Sequence, residues 1–424
     1  METRGNNIMG QKHKATHNWR GALAALLLLM AAAPVSAAEP IRIGFASEQT
    51  GPLAIAGKQW LLSARIWAAD VNAKGGLLGR KVEFVYYDDQ SDPALVPGIY
   101  SKLLDIDHVD LVVTQGTNMS TPALPTMIEH HMVALVGFSL ALNDKFHYDR
   151  FFQTMPYGPN GKESITRGFF EAAMSLDPKP KTIALLGADS DFSLAGIDGA
   201  REQVKRLGLK IVYDRKYPPS TMDFAPIIQS LKAAKADVIC VASYAAETSG
   251  ILRAISEIGL STRLFGGAMV GPQIGSLKAQ LGEKLNGLVT YDLYVPAPTM
   301  DFPGIRAFLE KYQAQAPAMG TDPLGFYFPP FSYATFQIMG EAVTAVGSLD
   351  QAKLAAYMHK ATFHTIVGDV KFGPDGEWEK SRMLTVQYQN VHGNGLDQFK
   401  KPGVQAILYP KQYADGKLIE GFHR

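Results

Sequence analysis

Residues 110–127, DLVVTQGTNMSTPALPTM, set the pattern from which the rest of the chain can be interpreted. The apolar run at 111–113 has the length and flanks of a buried β-strand. A turn of small residues follows at 116–118. A helix should begin beyond it, because the hydroxyl residues 120–121 suit an N-cap and Pro122 suits the first helical position. The stretch therefore predicts a strand–turn–helix unit of an α/β fold.

The turn between this strand and helix is a candidate anion site. The first N–H groups of the helix and the positive end of its dipole would face the edge at which the strands of an open α/β sheet end. A small acidic ligand would fit there. An ordinary α/β connection explains the same residues, and it is the favoured interpretation of this stretch alone.

The first 38 residues have the three parts of a secretory signal peptide. A positively charged segment ends at Arg20, an uninterrupted apolar run covers 22–33, and small residues follow. The apolar run is short for a membrane span, and no other stretch approaches the necessary length. We therefore expect residues 1–38 to be removed, by cleavage after Ala37 or Ala38, and the mature protein to act outside the cytoplasm.

Composition excludes several classes of partner. Without the predicted signal peptide, the 41 basic and 40 acidic residues become 37 and 39, a net charge of about −2. This balance argues against binding to nucleic acid or to an acidic membrane surface. The chain is long enough for two cores, and its only cysteine, Cys240, excludes a disulfide within one chain and is expected to be a buried thiol.

Strand and helix signals alternate along the whole chain. Strands are predicted at 41–46, 82–86, 111–113, 132–136, 182–186, 210–213, 238–242, 287–293 and 384–389, with helical periodicity between most of them. A Pro- and Gly-rich segment at 151–161 separates a first set from a second. A Pro-rich segment at 295–298 precedes two helices that return to the first set (305–315 and 331–345), and a hairpin is predicted at 371–379. The pattern predicts an α/β fold with parallel sheets in two similar lobes.

Three segments in order resemble a known family. They are SEQTGPLAIAG (47–57), NAKGGLLGRKVEFVYYDDQSDP (72–93) and TQGTNMSTPALP (114–125). They are similar to the periplasmic substrate-binding proteins of branched-chain amino-acid type ABC importers, the leucine/isoleucine/valine-binding family of type I periplasmic binding proteins. The resemblance covers essentially the whole mature chain.

The resemblance implies a particular arrangement of the chain. It consists of two Rossmann-like lobes joined by three crossovers, with the ligand in the cleft between lobes that close on it. Lobe 1 would comprise residues 39–154 and 294–368, and lobe 2 residues 155–293 and 369–424.

Three other motifs are weaker indications of function. The glycines at 75–79 follow a predicted helix and precede a strand, the reverse of what a phosphate loop needs. The acidic cluster at 88–92 could bind a hard cation, but at a strand end before Pro93 such residues more often make turn and cap hydrogen bonds. No metal or cofactor is expected. The segment 137–141, GFSLA, is comparable to the nucleophile elbow of hydrolases, with Ser139 as nucleophile and Ala where Gly is usual.

The resemblance also implies ligand contacts. The hydroxyl that takes the ligand carboxylate falls on Thr117, and the contacts of the next strand end fall on Ser139. The second carboxylate-binding hydroxyl of the amino-acid binders falls on Ala141, and the acid that pairs with the ligand ammonium falls on or beside Met269. No acid occurs between 151 and 162 either. Because an unpaired buried ammonium is costly, the predicted ligand has no α-amino group.

Aromatic and soft side chains complete the predicted site, since rings stack on flat ligands and methionine adapts to apolar ones. The candidates, which could equally be core residues, are Trp60 or Phe138, Tyr157, Tyr244, Met269, Tyr327 and Phe328, with Asn118 of the turn beside Thr117.

The expected function is that of a periplasmic solute-binding protein, not an enzyme. It would bind a small organic acid without an α-amino group, with an aromatic carboxylate favoured, and deliver it to an inner-membrane ABC permease. We expect a monomer that closes its lobes on the ligand. Two alternatives stay open: a binder of a branched-chain amino acid or an amide, with the ammonium met by carbonyls and tyrosine hydroxyls, and a secreted serine hydrolase that uses Ser139.

Overall fold

The first lobe is built on a five-stranded parallel sheet. In the computed structural model, which describes residues 38–423, its strands have the order β2-β1-β3-β4-β5. They are β1 (Ile41–Ser47), β2 (Val82–Asp88), β3 (Leu111–Gln115), β4 (Ala134–Gly137) and β5 (Phe151–Gln153). All five residues of β3 are buried, because helices cover both faces of a parallel sheet. Residues 1–37 of the predicted signal peptide lie outside the described residues.

The second lobe contains a seven-stranded sheet of order β15-β14-β11-β10-β8-β6-β7. Its strands are β6 (Thr182–Ala188), β7 (Lys210–Tyr217), β8 (Val238–Ser243), β10 (Leu264–Met269), β11 (Leu288–Asp292), β14 (Leu384–Tyr388) and β15 (Gln405–Tyr409). Strand β14 runs antiparallel to its neighbours β11 and β15, so β15 has the same direction as the remaining strands. Two short pairs lie outside this sheet: β9 (Ser261–Thr262) with β16 (Phe422–His423), and β12 (Thr362–Thr365) with β13 (Gly368–Lys371).

Helices occupy most of the connections. They are α1 (Ala54–Asn72), α2 (Val96–Ser101), α3 (Thr117–Glu129), α4 (Asn143–Phe146), α5 (Gly161–Met174), α6 (Asp191–Leu207), α7 (Ala225–Ala234), α8 (Ala245–Ile258), α9 (Gly275–Leu281), α10 (Ile305–Met319), α11 (Phe328–Val346) and α12 (Gln351–Met358). Both α10 and α11 pack against α1 of the first lobe. The chain thus leaves the first sheet after β5, returns after β11, and crosses again to reach β14. The predicted two-lobed α/β fold is confirmed, whereas the exact lobe boundaries stay predictions.

An aromatic cluster fixes α11 to the first lobe. The Phe336 ring, which is fully buried, lies 5.2 Å from Trp60 and 5.4 Å from Trp67 of α1, measured between ring centroids. It lies 5.3 Å from Phe84 of β2. Since such rings bury large apolar areas, this cluster anchors the returning segment on the sheet that it left earlier.

Several predicted elements are wrong in position. Helix α3 begins at Thr117 instead of after residue 120, since Gly116 has a φ of +73° and turns the chain within one residue. The predicted hairpin at 371–379 is displaced: β12 pairs with β13, and an isolated bridge between Phe372 and Trp378 closes the later turn. Strands β10 and β15 were not predicted. The C-terminal tail therefore contributes a strand to the second sheet.

Within residues 38–423, no helix combines the length and the apolar character that a membrane span requires.

Replacing Phe336 by Ala should lower the free energy of unfolding by about 3–5 kcal/mol, because it leaves a cavity among the rings of Trp60, Trp67 and Phe84. Urea denaturation at neutral pH measures this change. The control is Met222→Ala, whose side chain is 88% exposed, and its effect should stay within about 0.5 kcal/mol. Equal effects of the two substitutions would contradict the assigned role of Phe336.

Candidate ligand-binding site

A cavity of about 90 Å³ lies where the strand ends of the two sheets face each other. This volume is of the same order as the roughly 150 Å³ of an engineered apolar cavity that admits benzene. The lining residues lie mainly at strand ends, at helix starts and in the loops between them: Glu48, Pro52, Leu53, Ile55, Ala56, Gln115, Gly116, Thr117, Asn118, Met119, Phe138, Met155, Tyr157, Phe192, Tyr244, Ala245, Val270, Ile274, Tyr291, Tyr327 and Phe328. The cavity therefore suits a small ligand held between the lobes.

The loop after β1 places a carboxyl group in the cavity. A Cβ atom on Gly57 would lie only 2.0 Å from the carbonyl oxygen of Glu48, so the loop can fold onto α1 only where that helix has a glycine. The Ser47 hydroxyl donates to the Gly57 carbonyl at 3.3 Å, and this hydrogen bond stabilises the same contact between the loop and α1. The fold thereby directs Glu48, which is 2% exposed, toward the end of β3.

Glu48 is the strongest electrostatic feature of the site. Its Oε2 atom accepts a hydrogen bond from Gln115 Nε2 at 2.6 Å. Burial, and then the nearby charge of Asp89, raises the pKa of the Glu48 carboxyl to about 8. Near neutral pH Glu48 is therefore largely a neutral acid that can donate a hydrogen bond.

The start of α3 offers hydrogen-bond donors. The Met119 and Ser120 N–H groups donate to the Gly116 carbonyl, whereas those of Thr117 and Asn118 have no acceptor within residues 38–423. The Thr117 hydroxyl accepts from the Leu140 N–H at 3.0 Å, so its own hydrogen remains available. The buried Asn118 Oδ1 also has no partner in the described chain. The two N–H groups and the Thr117 hydroxyl can donate to a ligand oxygen, whereas Asn118 Oδ1 can only accept a hydrogen bond.

Aromatic rings form the wall on the first lobe. Phe138, which has a φ of +55° directly after β4, packs its ring 4.1 Å from Phe328 at the start of α11 and 6.1 Å from Trp60. Trp60 itself is fully buried and lies behind this wall. A flat apolar group in the cavity would contact the faces or edges of Phe138 and Phe328.

Tyrosines from the crossovers and the second lobe face this wall. The hydroxyls of Tyr291 and Tyr327 are hydrogen-bonded to each other. Tyr244 precedes α8, where its N–H donates to the Glu247 carboxylate at 2.8 Å, and its ring lies 5.3 Å from Phe192. Tyr157 is 2% exposed. Burial raises the pKa of each of these four phenols, so all stay neutral donors and acceptors at physiological pH.

The structure brings most of the sequence-predicted site residues together. Thr117, Asn118, Phe138, Tyr157, Tyr244 and Tyr327 line the cavity. Ser139 and Met269 are fully buried and are not among the lining residues. The Met269 carbonyl accepts from Gln273 Nε2 at 3.0 Å, and within residues 38–423 the Ser139 Oγ has no hydrogen-bond partner.

Sequence reasoning missed Glu48, Gln115, Phe192 and Tyr291 as lining residues. Glu48 carried a usable signal, because it is a charged residue directly after an apolar strand that ends at the ligand edge. Glu48 places in the cavity an acid that the comparison at Met269 and at residues 151–162 did not find.

Within residues 38–423, no group of three or more His, Cys, Asp or Glu side chains could hold a metal ion. Among the described lining residues Glu48 is the only carboxyl group, and none is Lys, Arg or His. Any ligand charge must therefore be met by Glu48, by neutral donors or by the start of α3.

A buried carboxylate outside the cavity joins the two lobes. Asp322, which is 2% exposed between α10 and α11, accepts from the Gly275 N–H of α9 at 3.0 Å. Its other oxygen accepts from Gln59 Nε2 of α1 at 3.3 Å. One side chain thus links a helix of the first lobe to a helix of the second.

Two α/β lobes around a ring-lined cavity define a two-lobed binding protein. The family model described as periplasmic binding protein matches residues 40–391, and the chain belongs to this family. Its members are periplasmic proteins that bind small molecules and work with ABC transporter permeases.

Relatives with different ligands share the sequence pattern or the fold. A leucine-, isoleucine-, valine-, threonine- and alanine-binding protein of Pseudomonas aeruginosa is 25% identical over 366 residues, 86% of this chain and 94% of the relative. The isoleucine complex of a branched-chain amino-acid transporter substrate-binding protein from Streptococcus pneumoniae has a TM-score of 0.71 at 20% identity, covering 88% of this chain and 100% of that one. A solute-binding protein from R. palustris in complex with 4-hydroxybenzoate has a TM-score of 0.69 at 18% identity, covering 90% and 97%.

Replacing Glu48 by Gln should change how stability depends on pH. Because the folded-state pKa of Glu48, about 8, lies above its ordinary value of 4.5, the folded protein binds the extra proton between these values, and wild-type stability falls as pH rises through this window. The side chain introduced by Glu48→Gln does not titrate, so the stability of this variant should not fall in this way. Between pH 5 and pH 8 the unfolding free energy of the variant should therefore increase by about 2–4 kcal/mol relative to that of wild type.

Urea denaturation at several pH values measures the difference in unfolding free energy. Glu83→Gln, an exposed substitution on β2, is the matched control and should follow the wild-type pH dependence. A constant difference between Glu48→Gln and wild type would show that the pKa of Glu48 is not raised.

Proposed function

We propose that this protein is the periplasmic solute-binding component of an ABC importer for a small organic acid without an α-amino group, with an aromatic carboxylate favoured. The observation that carries the proposal is the lining of the cavity. Rings from both lobes, including Phe138, Phe192 and Tyr244, surround a small space with donor groups at one side. The ligand would bridge the lobes and stabilise the closed state.

The donors at the start of α3 support an acid as ligand. The free N–H groups of Thr117 and Asn118 and the Thr117 hydroxyl can accommodate a carboxylate without a basic side chain. The rings can stack on a flat body. The 4-hydroxybenzoate complex of the R. palustris protein shows that this fold accommodates such a ligand.

A branched-chain amino acid is the second candidate, and Glu48 is the observation that favours it. If the Glu48 carboxyl loses its proton, it can pair with a ligand ammonium inside the cavity. The P. aeruginosa relative is named for such ligands. The raised pKa of Glu48 argues for the first candidate, because it favours the neutral form of the side chain.

The hydrolase alternative lacks a base. Ser139 Oγ is buried without a hydrogen-bond partner in the described chain, and no His is among the described cavity-lining residues. A serine nucleophile needs a base within hydrogen-bond reach. The predicted contact of Ser139 with the ligand stays a prediction, and Ser139 itself is not among the lining residues.

A thermal-shift screen of ligand-free protein should identify the ligand class. We expect benzoate and 4-hydroxybenzoate to raise the midpoint and leucine, isoleucine and valine to leave it unchanged. A hundredfold excess over the dissociation constant should add about 2.7 kcal/mol of stability. A shift with the amino acids alone would refute the proposed ligand class.

Replacing Thr117 by Val should weaken binding of the same acids about tenfold, because it removes one hydroxyl donor. Isothermal titration calorimetry measures the dissociation constants. Thr121→Val is the matched control on the same helix, since the Thr121 hydroxyl donates to the Thr117 carbonyl and Thr121 is not a lining residue. If both variants weaken binding equally, the loss reflects the helix and not a ligand contact at Thr117.

Replacing Ser139 by Ala tests the hydrolase alternative. With 4-nitrophenyl acetate as substrate, we expect wild type and Ser139→Ala to give the same background release of 4-nitrophenol. A higher rate in wild type that disappears in the variant would support the hydrolase and contradict the assignment as a binding protein.

A further inference from the structure

Glu48 lies among groups that disfavour its ionised form. Asp89, fully buried after β2, has one carboxylate oxygen without a partner in residues 38–423, and Asp88 adds a second negative charge from the same strand end. Tyr100 of α2 lies behind this group, and Tyr244 faces Glu48 from the second lobe. None of the described groups that shift the pKa of Glu48 is a cation.

The second oxygen of Glu48 lies at the start of α3. A Cβ atom built on Gly116, which precedes α3, would lie 3.5 Å from Glu48 Oε1. The free N–H groups of Thr117 and Asn118 are the next two donors along the chain. A ligand anion at these donors would therefore lie beside Glu48, with the other oxygen of Glu48 held by Gln115.

The protonation state of Glu48 decides whether this place attracts or repels an anion. An ionised carboxylate next to a bound carboxylate would be a like-charge pair in a buried site. A neutral carboxyl group instead donates an O–H···O⁻ hydrogen bond, one of the stronger kinds. A ligand ammonium group would instead require the ionised form of Glu48.

We propose that Glu48 is a specificity-determining residue that binds the ligand as a neutral carboxylic acid and donates its proton in a hydrogen bond to the ligand carboxylate. The inference rests on the proposed function and deepens it, because it states how a site without a basic side chain selects an acid. The proton stays on Glu48, so no covalent bond changes and the ligand binds as its anion. Gln115 holds the carboxyl group in the orientation that directs its O–H into the cavity.

The test is the pH dependence of affinity for benzoate and 4-hydroxybenzoate, measured by calorimetry between about pH 6 and pH 9, where the ligand carboxylate stays ionised. The dissociation constant should be constant below the pKa of Glu48 in the empty protein, about 8, and should rise by up to about tenfold per pH unit above it.

Two substitutions at Glu48 separate a hydrogen bond from a charge. Glu48→Gln should bind both acids within about threefold of wild type at pH 7 and should lose the pH dependence, because its amide donates without titrating. Glu48→Ala should bind about tenfold more weakly at pH 7, since the donor is absent. Glu83→Gln, an exposed change in the same lobe, should keep the wild-type pH profile.

The outcomes distinguish the inference from the proposed function. If both acids bind but their affinity does not depend on pH, or increases with pH, the role of Glu48 is overturned while the ligand class stands. If Glu48→Gln abolishes binding and wild type binds leucine more tightly as pH rises, Glu48 is the partner of an ammonium. If neither acid binds wild type at any pH, the proposed ligand class and the inference both fail.

Discussion

Parallel strands place all their carboxyl ends at one edge of a sheet, and this constraint organises the molecule. The two sheets turn these edges toward each other, so the residues that follow β1, β3, β4, β8 and β10 meet around one cavity. Gly57 adds a local condition, since any side chain there would collide with the backbone of Glu48. The position of the acid therefore depends on a glycine that is not itself a lining residue.

Much of the architecture was predictable because its signals are local. Apolar runs followed by turns and helical periodicity identified most strands, and the repetition of the units implied two lobes. Thr117 was identified through the family resemblance, and Tyr244 because it lies just after the predicted strand at 238–242. The structure brings both to one cavity.

The elements and lining residues that were not predicted depend mainly on contacts between residues far apart in the sequence. Strand β10 contains Gly266 and Gly267, which weaken any strand prediction, yet a Cβ atom on Gly266 would lie 1.6 Å from the Val289 carbonyl oxygen of the neighbouring strand. Tyr291 lies within β11, and its exposure to the cavity follows from its pairing with Tyr327, 36 residues later. The start of α3 was misplaced because Pro122 suggested a first helical position, whereas Gly116 allowed the helix to begin earlier.

The link through Asp322 has a consequence for the kinetics of transport. Its hydrogen bonds to Gln59 and Gly275 connect α1 with α9 and do not involve a cavity-lining residue. Moving the lobes apart must break at least one of them, and a buried carboxylate that loses a partner is costly. Part of the free energy that holds the lobes together is therefore the same for all ligands. A permease that binds both lobes and strains this link would accelerate release of any of them.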